Sequence, residues 1–178
     1  MKDDLIGVVR QSLDRLLQED GSLFECPIEE GPPYDARKLH EVCINHRLAN
    51  HLQQAILPLF GFEDKMFVDI EFNREGLNFK GVMIDGRKEL VRPDIIVHNR
   101  RSANDKQNFL VVECKKKGSP PEDVAWDKKK IQAMMKDERY LYSYGLQVVY
   151  DKEQTEVTLF FKLNGDIVSE RILRTAND

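Results

Sequence analysis

Two apolar runs in this chain each abut an acid, and that pairing constrains the fold more than any other feature. Asp94 follows Arg92-Pro93 and opens the run Ile95-Ile96-Val97, while Glu113 closes Phe109-Leu110-Val111-Val112 and is followed by Cys114 and Lys115. Both runs are short and rich in β-branched or aromatic residues, which predicts buried strands. A carboxylate at the edge of a buried strand is costly unless something pairs with it. Side chains at i and i+2 of a strand share a face, so Glu113 and Lys115 project together and Cys114 points to the other side, where core packing is its natural role. Setting Asp94 beside them makes a compact acidic pocket with one cation. Such a pocket suits a divalent metal and attack on a phosphodiester.

The rest of the chain supplies the elements around those strands. Leu5, Val8, Val9, Leu13, Leu16 and Leu17 predict an amphipathic helix over 3–19, ended by a turn at Asp20-Gly21. Residues 21–34 read as a loop. Asp35 is a candidate N-cap for a helix running to Leu57, before Pro58. On that helix Glu41, Ile44, Leu48 and Leu52 fall on one face, so Glu41 is the charged member of an apolar stripe. A strand is expected at 66–73. Asp85-Gly86 signals a hairpin between "FKGVMI" and "KELVRPDIIVH", and 100–108 reads as an exposed loop. Ser119-Pro120-Pro121-Glu122 has the form of a capping box with proline at the first helical position. The helix after it carries Val124, Trp126, Ile131, Met134 and Met135. A strand at 146–150 and a hairpin turning at Asn164-Gly165 complete the chain.

Pro93-Asp94 and Glu113-Cys114-Lys115 together resemble the signature of the PD-(D/E)xK nuclease superfamily, in a small bacterial branch of it. "HEVCINHRLANHLQ", in which Glu41 precedes a His-Arg-Leu-Ala run, is similar to the first core helix of that branch. "IEFNREG" resembles its first strand and "WDKKKIQ" its second core helix, so the likeness covers roughly residues 37 to 150. The resemblance implies an α/β fold with a restriction-endonuclease-like αβββαβ core: a mixed central sheet flanked by helices. To this are added an N-terminal helix and a C-terminal β-hairpin. The expected layout is a single domain over 1–178, with helix and loop to 34, the core over 35–150 and the hairpin over 151–178.

It also implies a metal-dependent nuclease, hydrolysing phosphodiester bonds with Mg²⁺, for which Mn²⁺ would substitute. Asp94 would be the principal ligand, Glu113 the second, and the Cys114 carbonyl a third. Lys115 would orient or deprotonate the attacking water and offset developing charge, base action being the weaker role because an ammonium near two carboxylates stays protonated without metal. Glu41 would approach as an outer ligand. Lys130 would touch substrate phosphate or hold a catalytic carboxylate, although a surface pair with Asp127 is the simplest reading of their i,i+3 spacing. His46, His51 and His98 suit packing or solvated roles, and Tyr140, Tyr142 and Tyr144 suit packing more readily than base stacking. A non-catalytic nucleic-acid-binding or assembly module retaining the fold is the alternative, and a structural chain in which Lys115 satisfies Glu113 is a third reading.

A net charge of −4 does not by itself point to nucleic acid, but its distribution is uneven. From His98 to Lys117 the bases lead, with Arg100, Arg101, Lys106 and Lys115 to Lys117 against Asp105 and Glu113. Arg100 and Lys116 are therefore candidate phosphate contacts. DNA is the expected partner in preference to RNA, and a homodimer is expected because cutting both strands needs two sites. Cys26, Cys43 and Cys114 form neither a C-x-x-C pair nor an even set. With no membrane-length apolar run and no signal-peptide pattern, the expectation is a cytoplasmic protein without a membrane partner.

Overall fold

Alternation along the strands divides the molecule into layers. In a computed structural model describing residues 1–24, 33–62, 65–100 and 108–173 (33–40 and 173 in backbone only), Ile95 and Val97 pack toward one side of the sheet and Ile96 toward the other. Helices α1 (Lys2–Asp20) and α2 (Pro33–Phe60) cover the first side. Leu5, Leu13 and Leu16 of α1 and Ile44, Leu48, Leu52 and Ile56 of α2 share one core with Val112, Cys114, Leu146 and Val148. The N-terminal helix thus spends its apolar face within the chain. Helix α3 (Pro121–Lys136) covers the second side, where Ile131, Met134 and Met135 meet Val82, Ile96 and Val111.

The strands in chain order are β1 (Phe67–Ile70), β2 (Arg74–Glu75), β3 (Asn78–Phe79), β4 (Gly81–Ile84), β5 (Arg87–Leu90), β6 (Ile95–His98), β7 (Leu110–Lys116), β8 (Tyr144–Tyr150), β9 (Glu156–Leu163) and β10 (Asp166–Leu173). Six form a mixed sheet in the order β1-β6-β7-β8-β9-β10, while β2-β3 and β4-β5 are separate two-stranded hairpins. Within the sheet only β7 and β8 run parallel. A parallel pair needs a crossover, which α3 supplies. Gly145 explains how closely α3 sits on β8: a Cβ there would lie 2.2 Å from Ile131 Cγ2 and 3.0 Å from Met135 Sδ.

Both hairpin signals are realised. Asp85-Gly86 joins β4 to β5 and Asn164-Gly165 joins β9 to β10, all four residues at positive φ, as the tight two-residue turn requires.

Several boundaries differ from expectation. "KELVRPDIIVH" is two strands in different sheets. Val91 N–H binds Lys80 O, which prolongs the β4–β5 pairing by one rung, and Pro93 has no N–H to continue a ladder. Most of "IEFNREG" lies beyond β1: Glu71, at φ 48°, bends the chain, and Arg74-Glu75 form β2. Helix α2 runs past Pro58 to Phe60; a proline near a helix end forfeits one bond, and Gly61, at positive φ, closes the turn by donating to Pro58 O. The capping box does not form. Pro120 is the N-cap, Pro121 follows it, and Ser119 N–H binds Lys116 O instead. Asp35 as an N-cap, Cys26, Arg101, Asp105, Lys106 and most of the loop expected at 100–108 lie outside the described side chains. No helix among the described residues is long and apolar enough to cross a membrane.

Candidate active site

The register of β6 against β7 decides whether the two acids meet. Ile95 pairs with Val112 in an antiparallel ladder, so the next rung sets Asp94 level with Glu113 on the face that α3 covers. Asp94 is anchored twice. Its Oδ2 accepts the Cys114 N–H at 2.7 Å, and its carbonyl accepts Glu71 N–H at 3.0 Å. Glu113 is 1% exposed. Burial, with Asp94 next to it, pushes the Glu113 carboxyl up to about 8 against the opposing pull of Lys130. Burial likewise raises Asp94 to about 6, although the Cys114 N–H and the Lys115 and Lys130 ammoniums favour its ionised form.

Two lysines and a third carboxylate complete the group. Lys130 Nζ lies 2.7 Å from Glu113 Oε2 and 2.8 Å from Asp127 Oδ1. Lys115 Nζ faces Asp127 Oδ2 at 3.2 Å and donates to Cys114 O at 3.4 Å. Burial weakens the Lys115 charge, but Asp127 and Asp94 outweigh it and hold the ammonium above its ordinary range. Glu113 Oε1 is buried and has no hydrogen-bonding partner among the described residues. Three carboxylates thus share two ammonium groups, and two buried oxygens, Glu113 Oε1 and Asp127 Oδ2, make no hydrogen bond among the described residues, the second having the Lys115 charge beside it.

Glu41 reaches the same place from α2, half-buried. The Lys116 backbone N–H binds its carboxylate, and Lys115 and Asp127 lie within electrostatic reach; burial is the main cause of its raised pKa. Glu41, Asp94, Glu113, Lys115, Lys130 and the Lys116 backbone are therefore brought together. Arg100 is not: its guanidinium grips Asp69 at the far end of β6 and covers Phe67. His98 and His51 are buried on Asp69 and Asp20, while His46 is exposed. Tyr140, Tyr142 and Tyr144 are all buried, as packing requires. Cys114 Sγ points to the α1–α2 side and accepts a hydrogen bond from Tyr150 Oη.

The Lys130–Asp127 pair exists but is no surface pair, since Asp127 is 1% exposed. A signal for this was present. Asp127 stands four residues before Ile131 and three after Val124, which makes it the charged member of an apolar stripe. The same reasoning had singled out Glu41.

Among the described residues no three His, Cys, Asp or Glu side chains are gathered closely enough to cage an ion alone. A scan against protein-family profiles and searches of curated proteins and of solved structures found nothing that matches this chain.

Proposed function

We propose that this protein is a metal-dependent nuclease of the PD-(D/E)xK type, hydrolysing phosphodiester bonds, with DNA as its substrate. The observation that carries the reading is the pairing of Asp94 with Glu113 on one face, with a bare buried Glu113 oxygen and two lysines alongside. A chain gains nothing in stability from such a group. Apart from the β2-β3 and β4-β5 hairpins between β1 and β6, the succession α2, β1, β6, β7, α3, β8, with β7 and β8 parallel, supports the αβββαβ core that this reading proposes.

The donor chemistry fits Mg²⁺ or Mn²⁺. Asp94, Glu113 and the Cys114 carbonyl offer hard oxygens, and Mg²⁺ binds through one or two carboxylates while keeping waters and substrate oxygens in its sphere. When bound, the ion would supply an activated water and a charge against the phosphate. Asp94 is preorganised for this, because the Cys114 N–H fixes one of its oxygens and orients the other. Lys115 stands by the Cys114 carbonyl as an ammonium, so its part is to orient water and offset charge in the transition state rather than to remove a proton. Glu41, held by the Lys116 N–H, shapes the α2 side of the site and tethers outer water.

The test is cleavage of supercoiled, linear, single-stranded and branched DNA, and of RNA, with Mg²⁺ or Mn²⁺ against an EDTA control. Asp94→Ala, Glu113→Gln and Lys115→Ala are each expected to abolish it while circular dichroism stays unchanged. Calorimetry with Mn²⁺ is expected to show impaired binding for the first two and near-normal binding for Lys115→Ala. Cleavage unaffected by all three would mark a contaminant. Inactivity on every substrate, with no ion bound, would leave a non-catalytic nucleic-acid-binding module. Sedimentation with and without DNA tests the proposed homodimer, which monomer alone at high concentration would exclude.

A further inference from the structure

Lys130 holds two acceptors on different elements. Glu113 Oε2 is on β7, and Asp127 Oδ1 lies one turn back on the helix that carries Lys130 itself. Asp127 is an odd residue to bury. It comes from α3 rather than from the strands that present Asp94 and Glu113, and its two oxygens face Lys130 and Lys115, one each. An isolated carboxylate at 1% exposure is strongly unfavourable, so this position makes sense as a holder of cations. Glu113 has the opposite problem: with no cation beside it, a carboxylate as deeply buried would stand unpaired.

We propose that Lys130 is a resident cation that stands on Glu113 in the metal-free protein and withdraws to Asp127 when a divalent ion takes Glu113. The inference rests on the reading of Asp94 and Glu113 as metal ligands and adds a regulatory part to that site. Lys130 already spans both carboxylates, so the exchange breaks one hydrogen bond and keeps the other. The ion does not have to expel a cation into solvent, nor is Glu113 without a cation between metal-free and loaded states. Lys130 and Asp127 are positioning residues here. They set the occupancy of Glu113 and touch neither substrate nor reacting atoms.

The direct test is a crystal structure of the wild-type protein with and without Mn²⁺. The expected result is Lys130 Nζ on both carboxylates without the ion, and on Asp127 alone with it. An ion at Asp94 and Glu113 with Lys130 Nζ still on Glu113 Oε2 would overturn the inference while leaving the nuclease reading intact. No ion at those residues would overturn both. Calorimetry with Mn²⁺ adds a second readout. Lys130→Gln, which removes the competing charge but keeps an amide donor, is expected to bind about tenfold more tightly; Asp127→Asn, which removes the retreat, about tenfold more weakly. Equal or weaker binding by Lys130→Gln would contradict the exchange. The Asp127→Asn and wild-type measurements stand even if that variant folds poorly.

Discussion

Strand β6 has a charged cluster at each end, and the two are built on opposite principles. At the far end Asp69 accepts from His98 Nε2 at 2.7 Å and from Arg100 Nε at 2.8 Å, with a further Arg100 contact to its other oxygen. Burial would raise its pKa, but Arg100 and His98 more than compensate and hold it below the ordinary range. At the near end, burial prevails. Asp94 is raised to about 6 and Glu113 to about 8 despite two lysines within reach. The first cluster is a finished structural joint, with its acceptor saturated by the chain's own donors. The second is short of positive charge, and an oxygen remains open. Buried acids as such therefore say little about function; the sign of the imbalance says more.

The largest expected effect separates the two ends by activity. Asp94→Ala and Glu113→Gln should each lower cleavage by about a thousandfold or more. Asp69→Asn should leave cleavage within a few-fold and lower stability instead, by about 1–2 kcal/mol in urea unfolding, because His98 and Arg100 lose their counter-charge. Equal loss of cleavage from both ends would erase the distinction.

Gly145→Ala should break the near end alone. Its methyl would collide with Ile131, displacing α3, and α3 carries Asp127 and Lys130. A loss of about 1–3 kcal/mol is expected, with weaker Mn²⁺ binding and an undisturbed His98 resonance in NMR spectra.

Acidity distinguishes the ends in direction. Asp94 and Glu113 have folded pKa values above their unfolded ones. Their contribution is therefore fully present below the unfolded carboxyl range and is lost as pH rises through about 6 and then about 8. Metal-free protein should accordingly become easier to unfold from pH 5 to pH 9. Mn²⁺ binding should tighten across the same window, since the ion displaces protons. Asp69, lowered, behaves in the opposite sense: its contribution is present above the unfolded carboxyl range and is lost as pH falls through its folded value. Urea titrations at fixed pH, with Asp69→Asn and Asp94→Asn as references, read both slopes. A flat metal-free profile over the upper window would argue against the raised pair.

The smallest effect concerns Lys80, near the far end. Its ammonium is buried over Phe72 and Tyr140 with no hydrogen-bonding partner among the described residues, and burial lowers its pKa to about 8. Lys80→Met should gain about 1 kcal/mol at pH 7 and remove the rise in stability otherwise expected between pH 8 and pH 10. A loss instead would mean that the two ring contacts outweigh the cost of desolvation.

Much of this was legible in the sequence because local rules dominate where it counts. The strand runs around Asp94 and Glu113, both two-residue turns and the stripes on α1, α2 and α3 follow from side-chain alternation and turn chemistry. Glu41 was legible from its stripe. Asp127 has the same stripe pattern, but its i,i+3 spacing to Lys130 reads more simply as a surface pair. Its burial depends on how closely α3 sits on β8, and hence on Gly145, which no spacing within the helix reveals. Arg100 lies apart from the acids for a related reason. Closeness in sequence to Glu113 is not closeness in space when an antiparallel strand carries the chain to the opposite end. The failed capping box and the proline inside α2 belong to helix ends, where one hydrogen bond decides the boundary.

The parallel pairing of β7 with β8 has a consequence for how the chain is made. Until residues 144–150 have been synthesised, β7 is a sheet margin, apolar and two-sided, with a row of unpaired backbone groups next to the acids. Such a margin invites pairing with another chain. A nascent or truncated polypeptide ending before Tyr144 is therefore expected to associate through β7, and its solubility should return once the next strand is included.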